Sequence, residues 1–256
     1  GASGEAGASD SIVCYVGHGF WDGSLDPIKG GFPYGYGFVN NGLVQVNCKS
    51  EYEGSLARSW EVSEDSLVYT FQLREGVKFQ DGSGFTAEDV AFTYKKGIQF
   101  QDGSGFRADD VVFTYQTVME NQGQNGEVDL SKVEKVEALG EYSVQFTLKE
   151  PFSPFLDCTA QLGIVPSKGY DSVSFDKMPI GTGPWKVVQY DAEQQLIVEA
   201  NEEYFEGAPG IKRVTFVDMD NEAAFSNAKS GQLDVVMVQP SYAAESVEGM
   251  HLEKME

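Results

Sequence analysis

The sequence predicts a strand-rich α+β fold. Two observations lead to this prediction: apolar and polar residues alternate over several short segments, and segments with helical spacing are fewer and shorter. The length agrees with it, because 256 residues with 41% hydrophobic and 12% aromatic side chains can bury a sizeable core. Residues 1–10 are small and polar and predict a flexible leader, and no later linker divides residues 11–256.

Strands are predicted where apolar residues recur at every second position. Ser66–Phe79 carries apolar residues at alternate positions from Leu67 to Leu73, and Glu141–Lys149 repeats the pattern. Both segments are therefore predicted to contain half-buried strands, the first of which ends in a turn at Arg74–Gly76. The remaining predicted strands are Trp185–Tyr190 and Gln195–Ala200, which form a hairpin around a polar turn, then Arg213–Val217 and Asp234–Val238.

Two helices have recognisable ends. Asn221–Ser230 places alanines and Phe225 at helical spacing and is followed by Gly231, a residue typical of the position after a helix. Thr86, with Asp89 three residues later, forms the pattern of a capping box, which predicts a helix that continues through Tyr94.

A tandem repeat with an offset of 21 residues is the most unusual feature. Gly76–Tyr94 and Gly97–Tyr115 are identical at most aligned positions. Two copies are too few for a solenoid, so we interpret the repeat as a local duplication inside one fold, of natural or introduced origin. The second copy has Arg107 where the first has Thr86, and the loss of this cap weakens a helix start by about 1 kcal/mol. We expect one copy to occupy the ancestral position and the other to be accommodated as an excursion.

Charge and polarity narrow the range of partners. There are 18 Lys and Arg residues against 40 Asp and Glu residues, so the formal net charge is −22. This argues against nucleic acid and anionic membranes as partners, because both require a basic patch. No apolar run approaches the roughly 18 residues that a membrane-spanning helix needs.

The cysteines and histidines predict no cofactor or metal. Cys14, Cys48 and Cys158 have long spacings that fit neither a zinc knuckle nor a redox motif, and they leave open whether one disulfide forms. His18 and His251 are far apart, which excludes a histidine-rich metal site. His18 lies among glycines and aromatic residues, so a ligand role is one interpretation and a structural hydrogen-bonding role is the other.

Glycine-rich motifs and acidic pairs carry no catalytic pattern. Asp81–Gly84 and Asp102–Gly105 resemble calcium loops, but phenylalanines occupy ligand positions. Gly181–Pro184 lacks the lysine of a phosphate loop and is interpreted as a turn before the strand at Trp185. GxSxG and HExxH motifs are absent, so we predict that the protein is not an enzyme.

The segment Gly30–Phe38 is the best candidate for a recognition surface. Its aromatic residues alternate with glycine and proline, an arrangement that brings backbone amides and rings close to a ligand. A loop that lines the core is the alternative interpretation.

Several collinear motifs resemble family 5 of the extracellular solute-binding proteins, the peptide- and nickel-binding components of ABC importers. In chain order these motifs are Leu25–Pro27, Ser55–Ser63, Tyr69–Arg74, Gly76–Phe79, Phe85–Val90, Phe146–Phe152, Pro179–Trp185, Ala200–Phe205 and Lys229–Asp234. Together they span about Leu25 to Val238. Members of this family are roughly twice the length of this chain.

The resemblance implies a periplasmic-binding-protein type II fold, of which this chain holds the first lobe, with an inserted strand-rich subdomain at about 50–175 and without the second lobe. It implies a non-enzymatic receptor that captures peptides for an importer and associates with the permease subunits. The segment after Leu25–Pro27 lines the ligand cleft in the family. The ligand residues implied are Gly31, Phe32, Pro33, Tyr34 and, more weakly, Tyr36.

The resemblance has further implications for location and affinity. It implies an extracellular or periplasmic lipoprotein whose leader follows a lipid-anchoring cysteine. One lobe holds half of a site, so we expect weak peptide binding by this chain alone.

Three alternatives remain open at the level of sequence. The first is binding of nickel or a metal chelate, with His18 as a ligand. The second is a hydrolase of peptides or esters, which would need a nucleophile beside a base. The third is an interaction module whose exposed apolar lobe face pairs with another chain or with a second copy.

Overall fold

The computed structural model of the chain describes residues 10–17, 23–31, 38–75, 106–121, 124–237 and 250. The strands are β1 (Ser11–Tyr15), β2 (Val44–Val46), β3 (Tyr52–Gly54), β4 (Ala57–Val62), β5 (Val68–Leu73), β6 (Val133–Gly140), β7 (Ser143–Leu148), β8 (Trp185–Asp191), β9 (Gln195–Ala200), β10 (Arg213–Val217) and β11 (Val235–Val236). The helices are α1 (Ala108–Glu120), α2 (Phe155–Gln161), α3 (Ser172–Phe175) and α4 (Asn221–Lys229). A 3₁₀ turn spans Pro27–Lys29.

The chain forms two compact units. One comprises residues 1–22, 187–200 and 210–256, and the other comprises residues 23–186 and 201–209. The predicted boundaries of an inserted subdomain, about 50–175, stay a prediction. The mixed α and β composition predicted from the sequence is confirmed.

The first unit contains a mixed sheet with the strand order β11-β1-β10-β9-β8. Strand β1 pairs in parallel with β10 and β11, while β10 pairs antiparallel with β9. Helix α4 begins after Asp220, whose carboxylate accepts a hydrogen bond from the amide of Ala223 at 2.8 Å, and Gly231 follows it at φ 72°. The helix predicted from 221 to 230 is therefore confirmed, and its Ala224 is buried beside Tyr15 of β1.

The second unit contains an antiparallel sheet with the strand order β4-β5-β7-β6. Its central strands β5 and β7 bury every second residue, which confirms the two predicted half-buried strands over 68–73 and 143–148. One face carries an aromatic core in which the ring of Phe146 contacts those of Phe71, Tyr115 and Phe155 at centroid distances of 5.7, 4.7 and 5.2 Å. Helix α1 covers this core and packs against β6 and β7.

Helix α1 lies in the second copy of the repeat. It begins after Arg107, and the carboxylate of Asp110 accepts a hydrogen bond from the Arg107 amide at 2.8 Å. The helix predicted at Thr86, in the first copy, lies outside the described residues. Where the structure describes the chain, its helices are all too short or too polar to cross a bilayer.

Candidate functional site

The predicted ligand segment begins at a tight turn that closes on Gly31. Asp26 precedes the 3₁₀ turn and accepts a hydrogen bond at Oδ1 from the amide of Ile28 at 3.0 Å. The Gly31 amide donates to the carbonyl oxygen of Asp26 at 2.8 Å. A Cβ atom on Gly31 would lie 2.2 Å from the carbonyl carbon of Leu25, so no larger residue fits without moving the backbone.

The buried carboxylate of Asp26 stabilises this turn through hydrogen bonds. The side chain of Asp26 is fully buried, and its Oδ2 accepts a hydrogen bond of 2.6 Å from the hydroxyl of Tyr170. Burial raises the pKa of Asp26, while the hydrogen bonds from Tyr170 and Ile28 act in the opposite direction. Because a buried carboxylate without partners is costly, these bonds determine where the Leu25–Pro27 motif lies.

A second group of polar contacts fixes the side of the turn. Lys29 Nζ lies 2.7 Å from Asp176 Oδ1 and 2.7 Å from the carbonyl oxygen of Ser172, and Ser24 also donates to Asp176. The Leu25 amide donates to the backbone carbonyl of Asp176 at 2.9 Å. Although burial opposes it, the hydrogen bonds from Lys29 and Ser24 lower the pKa of Asp176. The start of the ligand segment is thus attached to the α3 region by both side chains and backbone.

The other end of the predicted segment is anchored at Phe38. Its ring stacks on that of Trp185 at a centroid distance of 6.0 Å, and its carbonyl oxygen accepts a hydrogen bond from the Trp185 amide at 3.1 Å. The carbonyl oxygen of the next residue, Val39, accepts from the Gly183 amide at 2.7 Å. The turn predicted at Gly181–Pro184 is confirmed, since β8 begins directly after it at Trp185.

The buried side chain of Asn40 adds further hydrogen bonds at this end of the segment. Its Nδ2 donates to the carbonyl oxygens of Ile164 at 3.0 Å and Ile180 at 2.8 Å. Gly181 allows this close approach, because a Cβ atom there would lie 1.9 Å from the carbonyl oxygen of Val39. Gly31 is therefore held by a local hydrogen bond within a turn that Tyr170 and Asp176 anchor, and Phe38 is held by Trp185 through a hydrogen bond and a ring contact.

Of the predicted ligand residues, the structure describes Gly31. Phe32, Pro33, Tyr34 and Tyr36 lie outside the described residues, and so does His18. Sequence reasoning missed Tyr170, Asp176 and Asn40 as anchors of the segment. A carboxylate inside an apolar motif, as Asp26 is between Leu25 and Pro27, is the one signal that could have indicated a buried polar partner.

The described part of the site fixes the positions of Gly31 and Phe38 and shows no cofactor or metal ligand set. The three cysteines are free, with Cys48 exposed and the other two buried. Within the described ranges, no three side chains of His, Cys, Asp or Glu gather in a manner that could hold a metal ion.

The family model for bacterial extracellular solute-binding proteins, family 5, matches residues 51–96 and 95–254. The chain belongs to family 5 of the bacterial extracellular solute-binding proteins. The two matches overlap at residues 95–96, between the two copies of the repeat. The first match therefore ends with the first copy, and the second match begins with the second copy. The family resemblance given by the motifs is thereby confirmed.

Curated relatives of this family 5 protein bind different solutes. The chain is 34% identical over 203 residues to the oligopeptide-binding protein AppA of Bacillus subtilis, a match that covers 75% of this chain and 34% of AppA. It is 34% identical over 190 residues to the nickel-binding periplasmic protein of Escherichia coli, covering 70% of this chain and 32% of that protein. A Brucella ovis relative, 28% identical over 238 residues, is matched over 41% of its own length. The chain thus spans about two fifths or less of these relatives.

Solved structures show that the fold is that of a periplasmic binding protein of type II. NikZ from Campylobacter jejuni, in complex with Ni(L-His), superposes with a TM-score of 0.76 and 24% identity, covering 91% of this chain and 44% of NikZ. AppA from Bacillus subtilis, in complex with a nonapeptide, superposes with a TM-score of 0.71 and 23% identity, covering 91% of this chain and 45% of AppA. The predicted fold class is confirmed.

Proposed function

We propose that this chain forms the first lobe of the substrate-binding component of an ABC importer, and that this component captures peptides. Membership of family 5 carries the proposal, and the anchoring of Gly31 and Phe38 supports it. Two fixed ends reduce the entropy that residues 32–37 lose when a ligand binds, which is the general advantage of a preorganised site. The oligopeptide-binding AppA of Bacillus subtilis is the relative that favours peptides as the ligand class.

We propose that the ligand side is formed by Gly31, Phe32, Pro33 and Tyr34, with Tyr36 as the weaker assignment. Backbone amides and carbonyls in this stretch pair with an extended peptide as an added strand does, while the aromatic rings pack against its side chains. The protein works outside the cytoplasm, in keeping with the extracellular family, and a lipid anchor before the leader tethers it. There it delivers peptides to the permease subunits without chemical change.

A single lobe holds half of the site, so we expect weak peptide binding by this chain alone. The test is a titration of the isotope-labelled chain with a mixed library of di- to hexapeptides, followed by amide chemical shifts and by calorimetry. Shifts are expected at Gly31 and Phe38. Tyr34→Ala removes them, whereas Tyr52→Ala, an exposed tyrosine on β3, retains them.

Three results would each contradict a different part of these proposals. Micromolar or tighter affinity in calorimetry would show that the site is complete in this chain and refute the half-site proposal. Shifts that avoid both anchor residues would refute the assignment of the ligand side. Cleavage of the peptides during the titration, abolished by a single substitution, would replace the receptor with a hydrolase.

Binding of a nickel chelate is the second candidate, favoured by the 34% identity to the nickel-binding protein of Escherichia coli. In this case His18 supplies a ligand. Titration with Ni²⁺ and L-histidine, compared between the unchanged chain and His18→Ala, distinguishes the two candidates. Nickel binding that depends on His18 would replace the peptide proposal, and nickel binding unaffected by this substitution would exclude His18.

A further inference from the structure

The two copies of the repeat have the same inward-facing residues. In the second copy, the fully or nearly fully buried residues at the start of α1 are Phe106, Ala108, Asp110, Val111, Thr114 and Tyr115. At the positions 21 residues earlier, the first copy has Phe85, Ala87, Asp89, Val90, Thr93 and Tyr94. All six residue types are identical. The sequence therefore contains two copies of the buried residues with which the start of α1 packs against the core.

The copies differ at five positions, three of which lie in α1 or directly before it. Arg107 and Asp109, which replace Thr86 and Glu88, are exposed. Val112, which replaces Ala91, is half-buried. Since none of these positions belongs to the buried set, exchanging the copies preserves the contacts made by that set.

The contacts of α1 depend on side chains that both copies supply. The Asp110 carboxylate accepts hydrogen bonds from the amide and the hydroxyl of Ser167 at 2.8 and 2.7 Å. The Thr114 hydroxyl accepts from the Val165 amide at 3.2 Å, and the Tyr115 ring packs against Phe146. Asp89, Thr93 and Tyr94 carry the same groups at the same spacing.

We propose that either copy can form the first helix, so that the chain has two registers that differ by 21 residues. In the register of the structure, the surplus residues lie between β5 and α1. In the alternative register the helix begins at Ala87, and the surplus lies between the helix and β6. Moving residues from one connection to the other changes the loop-closure entropy little, because this entropy depends only logarithmically on loop length.

The two registers differ in the residues that come after the shared stretch. Helix α1 continues through Val118, which is 4% exposed, whereas the corresponding residue after the first copy is Gly97. Glycine leaves the Val118 site unfilled and weakens the helix, while Thr86 caps a helix better than Arg107 does. The loss of a buried valine side chain corresponds to about tenfold or more in the equilibrium, which favours the second copy. The first copy is thus a built-in substitute for the second.

The test places a charge on the buried face of each copy in the full 256-residue chain. Val111→Asp disables the second copy, Val90→Asp disables the first, and the double variant disables both. We expect Val90→Asp to leave thermal unfolding unchanged. Val111→Asp should still unfold cooperatively, with the unfolding equilibrium constant raised about tenfold by the change of register. The double variant should lose cooperative unfolding.

Every other pattern refutes the proposal. If Val111→Asp alone fails to fold, the first copy cannot replace the second. If the double variant is as stable as Val111→Asp, the first copy contributes nothing to the helix. A second test deletes residues 97–117, which joins the first copy directly to Val118. This variant should fold and show the near-ultraviolet circular dichroism spectrum of the unchanged chain. Its failure to fold would also refute the proposal.

Discussion

Substituting alanine for Gly181 should destabilise the protein strongly and loosen one anchor of the ligand segment. The added Cβ atom would lie 1.9 Å from the carbonyl oxygen of Val39 and 2.7 Å from Cγ of Asn40. Both neighbours belong to a buried segment, so neither can move aside as an exposed side chain would. Relief of the overlap requires a backbone shift of about 1 Å, because real Cβ contacts rarely fall under 3.0 Å.

A shift of this size disrupts two hydrogen bonds near Gly181. The amide of Gly183 donates to Val39 at 2.7 Å, and Asn40 Nδ2 donates to Ile180 at 2.8 Å. Overpacking costs about 1–3 kcal/mol, and each buried polar group left without its partner adds about 1–3 kcal/mol. We therefore expect Gly181→Ala to lower the free energy of unfolding by about 3–9 kcal/mol. This corresponds to a fall in Tm of about 6–36 °C for a protein of this size.

Thermal and urea unfolding measure this effect, with tryptophan fluorescence as the probe because Trp185 stacks on Phe38. The control is Gly140→Ala, since nothing lies within 4 Å of the Cβ position of Gly140. We expect the Tm of the control to remain within about 2 °C of the unchanged chain. If Gly181→Ala unfolds at the temperature of the control, the close approach of residues 39 and 181 is wrong, and so is the anchoring of the ligand segment derived from it.

Two further predictions concern titratable groups. Tyr170→Phe removes the hydrogen bond to buried Asp26 and should lower the free energy of unfolding by about 1.5–3 kcal/mol at neutral pH. The loss of this bond raises the pKa of Asp26 further, so the destabilisation should shrink as acid protonates the carboxylate. Urea unfolding from pH 7 to pH 4 measures this, and a difference that stays constant would contradict the contact. A thiol reagent should modify Cys48 rapidly and the other two cysteines only after unfolding, because burial raises the pKa of Cys14 to about 11 and also raises that of Cys158. Cys48→Ser should abolish the fast phase, and a fast phase that persists in this variant would show that a buried thiol is accessible.

The predicted strands β8 to β11 are confirmed, and the clearest signals in the sequence come from strands with one buried face and an uninterrupted ladder. Strands β5 and β7 bury every second residue, and this alternation is visible in the sequence alone. Strand β6 escaped prediction because its register shifts between Val133 and Lys135, so that the buried Val133 and Val136 are three residues apart. Strand β1 pairs in parallel with β10, about 200 residues later, and no local pattern indicates such a partner.

The candidate site shows the same limit at the level of side chains. Glycines and aromatic residues marked the ligand segment, because their conformational freedom and ring surfaces are local properties. Its anchors could not be predicted in this way. Tyr170 reaches Asp26 across 144 positions and Asn40 reaches Ile180 across 140, and each of these residues looks ordinary in its own neighbourhood. Only the fold brings a buried acceptor and its donor together.

The repeat separates local from long-range information most clearly. Its two copies share the pattern that predicts a helix, and the first has the better local cap in Thr86. Local signals therefore favour the copy that does not form α1. In the second copy, the carboxylate of Asp110 accepts hydrogen bonds from the Arg107 amide and from the amide of Ser167, 57 residues later. Both copies have this aspartate, so we infer that the choice between them depends on the next turn, where Val118 is buried and Gly97 stands at the corresponding position after the first copy. In this inference, one buried valine outside the repeat decides which of two nearly identical sequences becomes the helix.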